Sequence, residues 1–98
     1  MKLYLDDVRP TPAWFDARAY TATEAIDMLK TGTVTFISFD HDLGEHENGT
    51  GYDVAVWIEE QACTVPGFIV PEYVVHSANP VGRTNIESAM RSAVMRHV

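Results

Sequence analysis

The chain is short of positive charge, of cysteine and of long apolar runs. Seven lysines and arginines stand against fourteen aspartates and glutamates, a formal net charge of −7. Such an acidic surface argues against holding long nucleic acid, where affinity comes from counterion release. A small phosphorylated ligand, gripped by a metal and one or two arginines, is still compatible with it. Cys63 is the single cysteine. That excludes an internal disulfide and suits a reducing compartment. It falls in a stretch expected to be helical, where it reads as a small packing residue. No apolar run nears the ~20 residues of a membrane-spanning helix. The opening MKLYLDDVRP turns acidic too soon for a signal peptide. A cytoplasmic protein with no membrane partner is the expectation. Repeats, linkers and low-complexity tracts are missing as well, so 98 residues read as one domain spanning 1–98.

What the chain has is a series of short apolar strands that end in polar residues. Lys2 to Leu5 stops at Asp6-Asp7. Two prolines, Pro10 and Pro12, then forbid a regular helix and make a stiff loop that keeps Arg9 near the acidic pair. Phe15 to Tyr20 alternates like an edge strand. Thr21 and Glu24 form a capping-box pattern for a helix over about residues 22–31. Val34 to Phe39 is the central strand, with too little polar alternation for an open face. It runs straight into Asp40-His41-Asp42. Thr50 caps the next helix, with Asp53 in its first turn. Glu72 to Ser77 is the last strand, ending in His76-Ser77. Asn79-Pro80 starts a final helix that runs to about residue 96.

The order β-β-α-β-α-β-α predicts a small three-layer α/β domain. Its sheet would be mainly parallel and four-stranded, in the order 2-1-3-4, with about three helices. In open α/β sheets ligands sit beyond the carboxyl ends of the strands. Three strands place their polar residues there, and neighbouring strands are only ~4.8 Å apart. Asp6, Asp7, Asp40 and Asp42 are therefore the expected metal ligands. Carboxylates suit Mg²⁺ or Mn²⁺, and the nearby imidazoles admit Zn²⁺. Asp6-Asp7 would also suit a simple turn; Asp40 on the adjacent strand favours the metal. His41 and His76 are candidates for general acid, general base or ligand, and Asp40 is the expected centre of the catalytic group. Ser77, Asn79 and Arg83 lie at a helix N-terminus, where backbone N–H groups attract phosphate. Arg83 serves equally well as a surface ion pair. Arg9 is a further phosphate contact from the opposite side. Trp14, in the stiff loop, is the better placed aromatic for stacking on a ligand, and Trp57 reads as core.

Together, Leu5-Asp6-Asp7-x-Arg9-x-x-Pro12, Ile37-Ser38-Phe39-Asp40-His41-Asp42-Leu43-Gly44, Gly49-Thr50-Gly51-Tyr52-Asp53, Trp57-Ile58 and His76-Ser77-Ala78-Asn79-Pro80-Val81-Gly82-Arg83 resemble the cyclic-phosphate processing receiver-like domains. These are divergent relatives of response-regulator receivers, with a flavodoxin-like fold. The resemblance implies action on cyclic phosphates such as those of ADP-ribose formed in RNA repair. It also defines a rival. In receivers an acidic pair binds Mg²⁺, an Asp after the third strand is phosphorylated, and a Ser/Thr and a Lys contact the phosphoryl group. Asp6-Asp7, Asp40 and Ser77 occupy comparable places here. The only lysines, Lys2 and Lys30, do not lie at a strand's carboxyl end.

The expected function is a metal-dependent phosphoesterase acting on a small cyclic phosphate or cyclic nucleotide. A non-catalytic sponge for a cyclic nucleotide signal, as in phage counter-defence, is one alternative. A degenerate phospho-signalling receiver is the other.

Overall fold

The computed structural model describes residues 1–97. Four strands and three helices follow one another as β1 (Lys2–Leu5), β2 (Ala17–Ala19), α1 (Ala22–Leu29), β3 (Phe36–Phe39), α2 (Gly51–Thr64), β4 (Glu72–Val75) and α3 (Pro80–Met95). A 3₁₀ turn at His46–Asn48 interrupts the loop before α2. All strands are parallel and ordered β2-β1-β3-β4. Strand order, strand direction and helix number are those expected from the sequence. The strands are shorter than the apolar runs that announced them, because Val34 and Thr35 lead into β3 and His76-Ser77 leave β4. No helix among the described residues is long and apolar enough to cross a membrane.

The caps explain where the helices begin. Thr50 accepts from the Asp53 backbone N–H, and the Asp53 carboxylate accepts from the Thr50 N–H, closing a full capping box. Asn79 Oδ1 accepts from the Gly82 N–H, with Pro80 at the first helical position. At α1 the box is displaced by one residue. Thr21 accepts from the Glu24 N–H, but Glu24 reaches past it to the Tyr20 N–H at 2.7 Å.

Register decides which face each side chain takes. Leu5, Phe39 and Val75 lie side by side on β1, β3 and β4, as do Leu3 and Ile37. These residues form one core cluster with Ala25 and Leu29 of α1, Val54 and Ile58 of α2, and Ile86 and Met90 of α3. All three helices thus cover the same face of the sheet. The expected third layer is therefore corrected to two layers. Its absence has a local cause: Pro10 and Pro12 keep the β1–β2 connection from forming a helix, so among the described residues no helix covers the opposite face. That connection is pinned by Arg18, whose guanidinium donates to the Asp6 carbonyl and to Thr11 Oγ1. It lays Phe15 against Tyr4 and Phe36, with ring centroids 5.1 and 6.0 Å away. This shields β3 where a helix would otherwise lie. Trp14 beside it is 69% exposed. Trp57 packs against the core and meets Phe68 edge-on, in keeping with its reading as a core residue.

Candidate functional site

Each strand's ladder continues one residue past its end. The Asp6 N–H donates to the Ala19 carbonyl, that of Asp40 to Leu5, and that of His76 to Phe39. Asp6, Asp40 and His76 are therefore neighbours in a row across β1, β3 and β4. By the alternation of side chains they face away from the helices, on the same side as Tyr4 and Ser38. One potential ligand atom from each lies within 4.8 Å of the other two.

Asp6 is fully buried and fully hydrogen-bonded. Its Oδ1 accepts from the backbone N–H groups of Val8 and Arg9, each at 2.8 Å. Its Oδ2 accepts from Arg9 Nη1 and from His76 Nε2, each at 2.9 Å. Burial alone would raise its pKa. The two backbone bonds, Arg9 and His76 outweigh burial and bring it to about 2. Asp40 is different. It accepts from the His41 N–H at 2.9 Å and from the same Arg9 nitrogen at 3.3 Å, and has lone pairs to spare. Burial and the neighbouring Asp6 charge raise its pKa, against the pull of the His41 N–H, Arg9 and His76. One guanidinium spans two carboxylates and does not fully neutralise them.

The two imidazoles have different partners. His76 uses both nitrogens: Nε2 on Asp6, and Nδ1 at 2.7 Å from Ser38 Oγ. Its ring stacks on Tyr4 with centroids 4.6 Å apart and planes 5° from parallel. His41 bonds through Nδ1 to Asp42 Oδ1 at 2.9 Å. This bond holds the Asp42 carboxyl below the usual range. Asn79 Nδ2 steadies the other Asp42 oxygen at 3.4 Å. His41 Nε2 has no hydrogen-bond partner among the described residues.

Two glycines let the Asp40–Asp42 turn sit where it does. The Gly51 N–H donates to the His41 carbonyl, and a Cβ at Gly51 would stand 1.9 Å from the Asp40 carbonyl oxygen. A Cβ at Gly82 would stand 2.3 Å from His41 Cγ. The first turns of α2 and α3 thus press directly on the turn.

A shallow pocket of about 350 Å³ opens at this end of the sheet, lined chiefly by Asp7, Arg9, Asp40, Asp42, Ser77 and Ala78. Ser77 is buried, and its Oγ accepts from the Asn79 N–H. Asp7 points its carboxylate towards Gly44. Arg83 lies apart, exposed, with its Nε 3.9 Å from Glu87 Oε1. A more enclosed, apolar cavity of about 360 Å³ lies near Leu29, Trp57 and Phe68. It carries no carboxylate and no imidazole, so we place the site where the charged groups converge.

Residues 1–92 match the family described as the cyclic-phosphate processing receiver domain. The chain belongs to this family. No curated protein and no solved structure matches it. The candidate site of this receiver domain joins Asp6, Arg9, Asp40 and His76 in one hydrogen-bonded network, and Asp42, His41 and Asn79 in a second that adjoins it. Reading strand ends alone passed over Tyr4, Ser38, Gly51 and Gly82. Tyr4 and Ser38 had a usable signal, since they sit two residues before Asp6 and Asp40 on the same strand face. The two glycines stand within the family-like blocks, but their packing role had no local signal, because it depends on which turns meet.

Proposed function

We propose that this receiver domain, a member of a cyclic-phosphate processing family, hydrolyses a small cyclic phosphate diester with the help of a divalent cation. The supporting observation is the pair of carboxylates bridged by one guanidinium at the edge of an open pocket. The donor set fits a cation. Asp40 has free lone pairs and unrelieved negative charge, and Asp7 and Asp42 line the same pocket. These three carboxylates would hold Mg²⁺ or Mn²⁺, with Zn²⁺ as a variant. The cation supplies Lewis-acid polarisation of a phosphoryl oxygen and a more acidic bound water.

The chain's own residues then divide the remaining work. Asp42, held ionised, orients His41 so that Nδ1–H faces the carboxylate and Nε2 is left to carry a proton. Arg9 and Ser77 face the pocket and offer donors to the other phosphoryl oxygens. Asn79 steadies Asp42, and Arg83 would reach a larger ligand only by leaving Glu87. Net hydrolysis adds one water across one P–O bond of the ring: hydroxyl to phosphorus, proton to the leaving oxygen. A small phosphorylated ligand suits the pocket's size. The acidic surface disfavours long nucleic acid as a partner.

The test is a panel of cyclic phosphates incubated with Mg²⁺, Mn²⁺ or Zn²⁺ and read by mass. A product heavier by one water is expected, lost in Asp40→Asn while the fold survives. Asn at position 40 removes a charge that the site already strains to hold, so the fold should tolerate it. Unchanged turnover in that variant, or recovery of intact bound ligand with every metal, overturns the proposal. The latter outcome would favour a sponge.

A further inference from the structure

We infer that the outer edge of β4 is an interface at which two copies of the chain pair antiparallel about a two-fold axis. The strand order leaves β4 with one neighbour, β3. In that parallel ladder the Glu72 N–H donates to the Thr35 carbonyl and the His76 N–H to Phe39, with Val74 in the same phase opposite Ser38. Alternate residues serve alternate sides of a strand. Tyr73 and Val75 therefore turn their N–H and C=O groups outward, where they have no partner among the described residues. Such a row is a template for another strand unless something blunts it. The β2 edge is blunted: it is 3 residues long and carries Arg18 at its centre. β4 has no lysine, no proline and no bulge. Its middle residue, Val74, is 48% exposed on the open face. Ile69, 83% exposed, and Val94, 58% exposed, extend the apolar surface beside Val70, just ahead of the strand.

The chemistry of this edge fits its own copy. With Val74 opposite Val74 of the second copy, Tyr73 faces Val75 and Val75 faces Tyr73, and each such pair exchanges both of its bonds. Slipping the axis towards Pro71 pairs Val75 with a residue that has no N–H. Slipping it the other way pairs Tyr73 with Ser77, beyond the end of the strand. The centred register thus satisfies every outward group within the strand. It also sets Glu72 opposite His76 of the second copy, so acid meets imidazole and the two acidic ends stay apart. The opposing effect is long-range, since each copy carries a formal net charge of −7. Salt screens that repulsion and leaves backbone bonds in place, so association should strengthen as salt is added. The two copies would share one continuous sheet. Because their strands run in opposite directions, the two candidate sites would lie at opposite ends, both open.

This inference does not rest on the proposed hydrolysis. The experiment is sedimentation velocity of the full chain from low micromolar to millimolar concentration, with amide hydrogen exchange by NMR on the same samples. A monomer–dimer equilibrium is expected. The Tyr73 and Val75 amides should exchange freely in dilute samples and become protected as the dimer forms. The Val74 and His76 amides, turned towards β3, should stay protected throughout. Tyr73→Pro removes one outward donor and no bond to β3, and proline is tolerated at such an edge position. The two-fold axis removes that donor twice, so dimerisation should weaken about 10- to 100-fold. Tyr73→Val keeps the donor and should dimerise as wild type does. A chain that is monomeric at every concentration overturns the inference. So does a dimer whose Tyr73 and Val75 amides exchange as freely as in the monomer, or a folded Tyr73→Pro that dimerises as tightly as wild type. Should Tyr73→Pro not fold, the exchange pattern of wild type decides.

Discussion

Replacing Gly51 by alanine should be among the costliest single-methyl changes in the chain. Two effects oppose each other. Gly51 opens α2, and its φ is not in the left-handed region. Backbone preference alone would therefore favour alanine, by up to about 1 kcal/mol in a helix interior and less at a first turn. The steric effect runs the other way. The new Cβ would lie 1.9 Å from the Asp40 carbonyl oxygen, 2.9 Å from its carbon and 3.1 Å from Ile86 Cδ1. Real Cβ atoms essentially never come closer than 3.0 Å, so the oxygen contact must open by at least 1.1 Å, the difference between 3.0 and 1.9. The closest atom is backbone, not a side chain that can rotate away. Opening the contact also strains the Gly51 N–H bond to the His41 carbonyl, 2.9 Å long. Overpacking typically costs about 1–3 kcal/mol and occasionally more. With two backbone segments involved, we expect a net loss of about 3 kcal/mol. For a domain this size that is a fall in Tm on the order of 12–24 °C. Urea and thermal unfolding by circular dichroism measure it. Gly67→Ala is the control: nothing lies within 4 Å of its Cβ, but its φ is +82°, so its cost should come from backbone strain, about 1 kcal/mol. A Gly51→Ala variant as stable as wild type would refute the assigned contact between α2 and the Asp40 turn.

Arg9→Ala should leave Asp6 and Asp40 facing each other without a counter-charge, so we expect a lower urea midpoint, restored in part by added Mg²⁺ or Mn²⁺. No response to either cation would count against a cation at Asp40. The pH dependence should have two arms of opposite sign. Asp6, lowered to about 2, contributes stability that is complete above the ordinary carboxylate range and lost as pH falls through about 2; the shift corresponds to roughly 2 kcal/mol. Asp40, raised, binds its proton sooner when folded, so stability should first rise as pH falls through its raised pKa. Asp40→Asn should abolish that rise and leave the acid loss, and a single falling limb in wild type would contradict this pairing. Gly82→Ala should displace the His41 ring rather than backbone, since its nearest contacts are His41 side-chain atoms. Its activity, followed by product mass, should fall by more than its unfolding midpoint suggests, and full turnover would show that His41 is not the proton carrier.

The fold was legible wherever one residue type has one job. Thr50, Asn79 and Pro80 mark helix starts because a cap is a local hydrogen bond between near neighbours. The parallel order followed from strands joined through helices. Two layers in place of three were harder to read. Pro10 and Pro12 showed that no helix follows β1, but Tyr4, Phe36 and Val74 look apolar enough for a covered face. Phe15 and the neighbouring Tyr4 take over part of the covering. In the site, strand ends revealed Asp6, Asp40 and His76, because register carries them into one row. The partners that give each its character come from nearly forty residues away in the case of Ser38 and His76, and no local pattern encodes that meeting.

The missing helix and the site belong to one argument. A helix between β1 and β2 would cover the face on which Asp6, Asp40 and His76 stand. It would also take up the residues that instead form the Asp6–Arg9 turn. Because the chain turns tightly there, the Val8 and Arg9 N–H groups fall on Asp6 Oδ1 and the Arg9 guanidinium falls on Oδ2. The chain's two lysines sit at the start of β1 and just after α1, so Arg9 is the cation this turn provides. A guanidinium is better suited than an ammonium to span two carboxylates, since it is planar and always charged. It leaves Asp40 only partly neutralised, and that residual charge faces the pocket. Asp6 is thus the carboxylate that builds the site. Asp40 is the one with electron pairs left to use.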